Sequence, residues 1–307
     1  MTLRFPAAAA PAVSVVMVSH GAWRWTRAAL AALAAHTELP YEVILVDNAS
    51  PDETPARLAE LDGARVVFNA TNRGFGPGCN QGAELARAPL LLFLNTDSMV
   101  HAGWLEPMIG ALESAAWIGA VVPRYLHEDG RLQEAGALLA QDGTVLTYGD
   151  GDRPDRLRYR FRRVVDFGGA ACMLVRGADF AALGGFDPVF APAYYEDVDL
   201  CFRLAQTGRA TLYEPRALVT HIRHASGGPA RASELSQTNR ATFVARWHAQ
   251  LRGRPASLAG AAAGGRARIA ARDALALERV LVVDPGTSAP DGGDAAGIVA
   301  GLAGERP

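Results

Sequence analysis

The sequence predicts an α/β fold with a mostly parallel sheet flanked by helices, and three observations carry that prediction. Apolar runs of strand length alternate with longer helical patterns through the first half of the 307 residues, the rhythm of strand–helix–strand units. Several of these runs, such as Leu90 to Leu94, are continuously apolar, as in strands buried on both faces. Each run ends in a short polar cluster, and ligands in such sheets collect beyond the carboxyl ends of the strands. Half the residues are hydrophobic and only 20% are charged, which supplies a sizeable core and rules out wholesale disorder.

Taken in order, Val13 to Val18 reads as a buried strand and Trp23 to His36 as an alanine- and leucine-rich helix. Tyr41 to Val46 is the second strand; Asp47-Asn48-Ala49-Ser50 ends it and leads into a short helix opened by Pro51-Asp52-Glu53. Arg65 to Phe68 is the third, followed by the glycine-rich stretch from Asn72 to Gly78 and a helix over Asn80 to Arg87. Leu90 to Leu94 is the fourth and terminates in Asn95-Thr96-Asp97. From Val121 to about Arg163 short strands and turns take over, with Asp129-Gly130 and Asp142-Gly143 as turn signals. Strand character returns at Val164 to Val175. Glu196 to Gln206 fits a helix entered through acidic residues, and short strands at Ala210 to Tyr213 and Ala217 to Thr220 lead to His221. Beyond Arg231 the chain reads as helical.

Composition excludes several function classes. A net charge of -2 argues against a protein built to coat nucleic acid. Every one of the 30 basic residues is arginine, so Schiff-base chemistry and a P-loop lysine are excluded, whereas arginine suits phosphate oxygens. Cys79, Cys172 and Cys201 form no CxxC pair and no zinc spacing, which fits a reducing, cytoplasmic compartment. No apolar stretch reaches the length of a membrane span. The apolar start, Phe5 to Ser19, lacks a small-residue cleavage pattern after it and reads as a strand rather than a signal peptide.

The chain resembles the inverting family 2 glycosyltransferases with the GT-A fold, especially the rhamnosyltransferase-like bacterial members. The resemblance rests on Val15-Val16-Met17-Val18-Ser19-His20, Val46-Asp47-Asn48-Ala49-Ser50, Asn72-Arg73-Gly74-Phe75, Asn95-Thr96-Asp97 and Tyr195-Glu196-Asp197-Val198-Asp199 through Arg203, in that order and spacing, over roughly residues 12 to 250. It implies transfer of a sugar, dTDP-rhamnose first and a UDP-sugar next, from a nucleotide-diphosphate donor to a glycan or lipid-linked acceptor in cell-surface polysaccharide synthesis. It also implies a Mg²⁺ or Mn²⁺ cofactor, and a cytoplasmic enzyme in peripheral contact with the inner membrane face. The fold it implies is GT-A, with a small acceptor-side β region and a helical C-terminal extension. The competing readings are a non-catalytic nucleotide- or sugar-binding module and a nucleotidyltransferase; Ser19-His20-Gly21 lacks the basic Gly-rich loop the latter needs.

Residue by residue, Ser19, His20, Asp47 and Asn48 are expected at the nucleotide. The Asp47 carboxylate can accept the ring N–H of a pyrimidine, with capping of the following helix as the alternative. Arg73 and Gly74 offer a permanent cation and a close backbone approach, and Asn80 matches a family asparagine beside the nucleotide. Asn95, Thr96 and Asp97 occupy the place of the family's DxD motif, Asn95 standing where the first aspartate would be. That leaves Asp97 as the ionised metal ligand. His221, a strand-terminal imidazole matching the family's metal-site histidine, is the second expected ligand, with His224 as its competitor. Asp197 is expected to be the general base that takes the acceptor hydroxyl's proton, with Glu196, Gly185 and Phe186 at the acceptor. The alternative is an acidic helix start that merely complements the dipole. Asp199 should point away from Asp197 along the helix. Arg156 to Arg162 alternates arginine with Leu157, Tyr159 and Phe161. It reads as a strand whose cationic face meets lipid headgroups or an acceptor pyrophosphate, or as a charge-protected edge. Residues 1–250 then form the catalytic domain and 251–277 an Ala/Gly/Arg-rich helical linker. Residues 278–307 read as the truncated start of a second, GT-B-like domain.

Overall fold

In the computed structural model, which describes residues 3–6, 8–223, 228–252, 254 and 256, the first half folds as the alternation predicts. Strand β1 (Val13–Ser19) is followed by α1 (Trp23–His36), β2 (Tyr41–Asp47), α2 (Thr54–Ala59), β3 (Ala64–Phe68), α3 (Phe75–Glu84) and β4 (Leu90–Leu94). β1 lies between β2 and β4, parallel to both, and β3 joins parallel to β2. Every residue of β2 and β4 is buried, which is why β4 is apolar throughout. The register sets Ser19 directly opposite Asp47 at the carboxyl ends of β1 and β2.

The second half extends the same sheet with β5 (Ser98–Val100), α4 (Leu105–Glu113), β6 (Ile118–Leu126), β7 (Leu132–Glu134), β8 (Ala137–Leu139), β9 (Val145–Thr147), β10 (Arg163–Val165), β11 (Cys172–Arg176), α5 (Gly177–Ala182), α6 (Glu196–Gln206), β12 (Ala210–His221) and α7 (Pro229–Leu251). The order across the sheet is β10-β12-β6-β11-β4-β1-β2-β3, with β11 antiparallel to β4 and β6. β5 pairs with the end of β12 and β7 with the end of β6, while β8 and β9 make a separate two-stranded sheet. Apolar clusters fill both faces. One holds Phe93, Phe180 and Phe186, with ring centroids 4.8 to 5.2 Å apart, and the other Met17, Leu30, Leu33, Trp104 and Met108. This is a largely parallel α/β sandwich with its two cores on opposite sides of one sheet.

Four expectations are corrected. The helix expected from Asn80 begins at Phe75, inside the glycine-rich stretch. A Cβ on Gly82 would stand 2.4 Å from the Val16 side chain, so close packing on β1 overrides the poor helix propensity of glycine. The apolar run Val164 to Val175 is two strands, β10 and β11, separated by the irregular Asp166–Ala171. The two short strands before His221 are one strand, β12, with an irregularity between Glu214 and Leu218. Arg156 to Arg162 is not a strand: it makes a single 3₁₀ turn at Leu157–Tyr159. The cause is Tyr159, whose buried ring packs edge-on against Tyr148 at 5.3 Å and whose hydroxyl donates to Asp152. Pulling that one side chain inward turns its neighbours Leu157 and Phe161 out. His224 and, apart from Leu251, Arg252, Arg254 and Ala256, the linker and second-domain segments over 251–307 lie outside the described residues.

Candidate functional site

Several of the expected site residues stand at the carboxyl ends of β1, β2, β4 and β12 and at the start of α6. Arg73, Gly74 and Asn80 belong instead to α3 and its approach, and Gly185 and Phe186 to the turn before α6. At β1 and β2, Asp47 is buried. Its Oδ1 accepts from Ser19 Oγ at 3.0 Å and Ser50 Oγ at 2.5 Å, and its Oδ2 from the Ser50 amide at 3.1 Å. It therefore shapes the turn after β2 and does not cap α2, where the Thr54 amide donates to Asp52 instead. Asn48 ties this turn outward. Its Nδ2 donates to the Gly74 carbonyl at 2.9 Å, and its own carbonyl lies 2.8 Å from Nδ1 of the exposed His20.

Gly74 opens α3 with φ +92°, and a Cβ there would stand 2.8 Å from the Pro192 backbone, so only glycine lets the two segments meet. Arg73 beside it is exposed, and its side chain has no hydrogen bond or ion pair among the described residues. Asn80 bonds the backbone of Phe186 in both directions at 2.8 Å. Its amide, expected at the nucleotide, thus clamps α3 to the Gly185 turn. The Phe186 ring, expected at the acceptor, is wholly buried in the aromatic cluster, which leaves only backbone there for an acceptor to touch.

Asn95 continues β4 by donating its amide to the Ala171 carbonyl at 2.9 Å, which sets Asn95-Thr96-Asp97 beside the Gly169–Ala171 segment. His221 reaches Asp97 because β12 runs antiparallel to β5. That pairing puts His221 opposite Ser98, and the Ile222 amide donates to the Asp97 carbonyl. His221 Nε2 lies 3.4 Å from Asp97 Oδ1. Gln133, on β7, determines which nitrogen of that ring is free. Its Nε2 donates to the His221 carbonyl at 2.8 Å, so its Oε1 is the acceptor that faces His221 Nδ1 at 2.8 Å. Nδ1 therefore donates to Gln133, and Nε2 is the ring nitrogen turned toward the Asp97 carboxylate.

At α6, Tyr194 and Tyr195 both adopt positive φ, +77° and +71°, strained conformations for aromatic residues. Asn239 on α7 holds them by donating to the Phe190 and Tyr194 carbonyls. This strained entry aims the first turn of α6. Asp197 Oδ2 accepts from the Ala170 amide at 3.1 Å, and Glu134 of β7 accepts from the adjacent Gly169 amide at 3.4 Å. Neighbouring amides of one loop therefore hold two carboxylates side by side. Burial pushes Asp197 above the ordinary carboxylate range. Burial, then the charge of Asp197, pushes the fully enclosed Glu196 well above it. Burial, and then the charges of Glu196, Asp97 and Asp197, raise the Tyr194 hydroxyl. Asp199 points the other way, as expected, into a cluster of Arg203, Arg246 and Trp247.

Gln133 and Glu134 were not legible beforehand. Two consecutive buried polar residues on a three-residue strand have no periodicity to announce them. Glu134 makes a testable statement about stability. Burial raises its carboxyl from 4.5 to about 7, so the fold favours the protonated form, and the stability it contributes is lost as pH rises through that window. Glu134→Gln is expected to flatten the fall in melting temperature between pH 4.5 and pH 7. At pH 8 the variant should be more stable by up to about 3 kcal/mol. A variant with the native pH slope would show that Glu134 is ionised in the fold.

Asn95 Oδ1, Asp97 Oδ1 and Glu196 Oε2 are buried acceptor oxygens with no hydrogen-bond partner. Orphan acceptors need protons or a cation from a ligand. No cluster of three or more His, Cys, Asp or Glu side chains suited to a metal occurs among the described residues. Asp97 and His221 could supply two ligands to a divalent ion.

The glycosyl transferase family 2 model matches residues 14–180. N-acetylglucosaminyl-diphospho-decaprenol L-rhamnosyltransferase of Mycobacterium tuberculosis is 29% identical over 238 residues, 70% of this chain and 77% of that protein. O-antigen biosynthesis protein RfbC of Myxococcus xanthus is 29% identical over 235 residues, 73% of this chain but 18% of that much longer protein. Among solved structures, GalNAc-T7 with UDP, GalNAc and Mn²⁺ superposes with a TM-score of 0.63 at 18% identity, over 86% of this chain and 55% of that one. The mannosyltransferase PcManGT of Pyrobaculum calidifontis, with GDP-Man and Mn²⁺, gives 0.57 at 17%, over 96% and 80%. At these identities the structures speak for the GT-A fold alone.

Proposed function

The chain belongs to glycosyl transferase family 2, and from that premise we propose that it moves a sugar with inversion from a nucleotide-diphosphate donor, dTDP-rhamnose first, to a lipid-linked glycan acceptor. The observation that carries this reading is the placement of Asp197, a partly exposed carboxylate at the start of α6 held on the Ala170 amide. The Asp97–His221 pair lies within the same cluster of strand ends. The similarity to a rhamnosyltransferase that acts on a diphospho-decaprenol lipid supports the donor and the acceptor class.

In this mechanism Asp197 takes the proton of the acceptor hydroxyl as that oxygen attacks C1 of the sugar, and the bond from C1 to the diphosphate oxygen breaks on the opposite face. A single displacement of this kind inverts the anomeric centre. The raised Asp197 carboxyl is a better base than an ordinary aspartate, provided the pH is above its own value. Glu196 and Glu134 flank the acceptor hydroxyl. Asp47 accepts a pyrimidine N–H, and Arg73 meets the diphosphate from the mouth of the site. Mg²⁺ or Mn²⁺ held by Asp97 and His221 would neutralise charge on the departing diphosphate.

Incubation with dTDP-rhamnose, a polyprenyl-diphosphate-linked sugar and Mn²⁺ tests the reading. Release of dTDP with a product of inverted anomeric configuration is expected, and a retained configuration would refute the single displacement. Asp97→Ala and His221→Ala are each expected to raise the Mn²⁺ concentration for half-maximal activity by at least about tenfold, the lower end of what even outer-shell metal partners cost. Unaltered activity of the native chain after exhaustive chelation would remove the metal from the mechanism.

A further inference from the structure

The three most exposed large apolar side chains among the described residues are Leu157 at 71%, Phe161 at 61% and Val164 at 57%. They fall within eight consecutive residues, whereas the other exposed apolar side chains are scattered through the chain. The same segment is the most basic part of the protein. Residues 152–164 hold six arginines against Asp152 and Asp155, a surplus of four positive charges in a chain whose net charge is -2.

Arg163 packs over the Tyr148 and Tyr213 rings, while Arg153, Arg156 and Arg160 keep the surface end of the segment basic. Asp152 takes both Arg156 and Arg158, and Asp155 takes Arg153. Glu214 takes Arg162 and also Arg216. Arg160 is exposed, and its side chain has no hydrogen bond or ion pair among the described residues. Apolar tips surrounded by arginines are the pattern of a surface that enters a headgroup layer. The tips pass below the phosphates, while the guanidinium groups grip phosphate oxygens at that level. No helix among the described residues is long and apolar enough to cross a membrane.

We infer that the face carrying Leu157, Phe161 and Val164 docks this protein on an anionic lipid bilayer. The docking face is rigidly tied to the candidate site. Tyr159, between the two exposed tips, is buried against Tyr148, and a Cβ on Gly149 would touch both its ring and Leu132. Leu132 opens β7, whose next two residues are Gln133 beside His221 and Glu134 beside the Gly169–Ala170 loop. A bilayer at this face brings a lipid-linked acceptor toward the same strand. That consequence rests on the proposed acceptor; the docking itself does not.

Sedimentation of the full chain with vesicles separates the outcomes. Binding to phosphatidylcholine vesicles containing phosphatidylglycerol is expected, with weak binding to phosphatidylcholine alone and a decline as salt screens the arginines. The double variant Arg156→Ser/Arg160→Ser should lose about 25-fold in affinity, from about fivefold per arginine. Leu157→Ser/Phe161→Ser should lose at least tenfold, the order expected for two large apolar side chains that leave the lipid. Both pairs are exposed, so melting temperatures should hold, as should turnover on a water-soluble acceptor analogue. Loss in the arginine variant alone would overturn insertion and leave an anion-binding patch only. Equal binding to both vesicle types, or no binding of the native chain, would overturn the inference. A chain that docks as described but transfers no sugar would sink the proposed function and leave the docking standing.

Discussion

Asp197→Asn is expected to bind the nucleotide sugar as the native chain does and to lose ~10²–10⁴-fold in turnover, the usual contribution of a general base. The amide is nearly isosteric with the carboxylate. Its oxygen can still accept from the Ala170 amide, which now donates to one Asp197 oxygen at 3.1 Å, while the Val198 amide, which donates to the other at 2.8 Å, loses its acceptor. The bond to the Ala170 loop is thus preserved while proton affinity is removed. The pH profile supplies a second readout. Burial raises the Asp197 carboxyl above its ordinary range, so kcat/KM of the native chain should fall as the pH drops through that raised value. The residual activity of the variant should lack that limb. Near-native turnover by a folded Asp197→Asn protein would transfer the role of base elsewhere, with Glu134 the first place to look.

Two residues along the same helix, Asp199→Ala is expected to leave the chemistry without a missing part and the fold without a buried anion. Asp199 is fully enclosed. Arg203 Nε donates to it at 2.7 Å, and Arg246 and the Trp247 indole N–H each donate at 2.9 Å. Removing the carboxylate leaves Arg203 its bonds to the Leu183 and Gly185 carbonyls and Arg246 its pair with Asp187. It strips the Trp247 indole N–H of its acceptor and the two arginines of their shared buried anion, a change at the lower end of the ~3–5 kcal/mol typical of a broken buried pair. For a domain of this size the melting temperature should fall by on the order of 10 °C. A smaller loss in Asp199→Asn, which keeps an acceptor for the indole, would separate the hydrogen bond from the charge. A fall of only a degree or two in Asp199→Ala would mean that α7 repacks without its anchor on α6.

These two aspartates mark how far a one-dimensional reading reaches. Their spacing along a helix was enough to say that they point apart. Which of them is tied up by arginine depended on α7, whose Arg246 and Trp247 lie some fifty positions downstream. Asn80 and Phe186 show the same limit. Their residue types and their place in the motif order suited nucleotide and acceptor, yet they bind each other, because α3 packs against the turn before α6. The stretch from Arg156 to Arg162 has the period of a strand, but the inward pull of Tyr159 outweighed that period.

By itself the sequence determined the alternation of strands and helices, the polar clusters at the strand ends, and the acidic start of α6. Each is written in local periodicity and residue chemistry, which a short window of chain contains in full. Only the tertiary structure decided who faces whom. His221 meets Asp97 because β12 pairs antiparallel with β5. Gln133 orients that imidazole from a strand of three residues, and Glu134 stands near Asp197 because adjacent amides of one loop hold them both. Contacts of this kind join residues far apart in the chain through the register of a sheet. That register is selected by the burial of whole faces at once, so no segment read alone contains it.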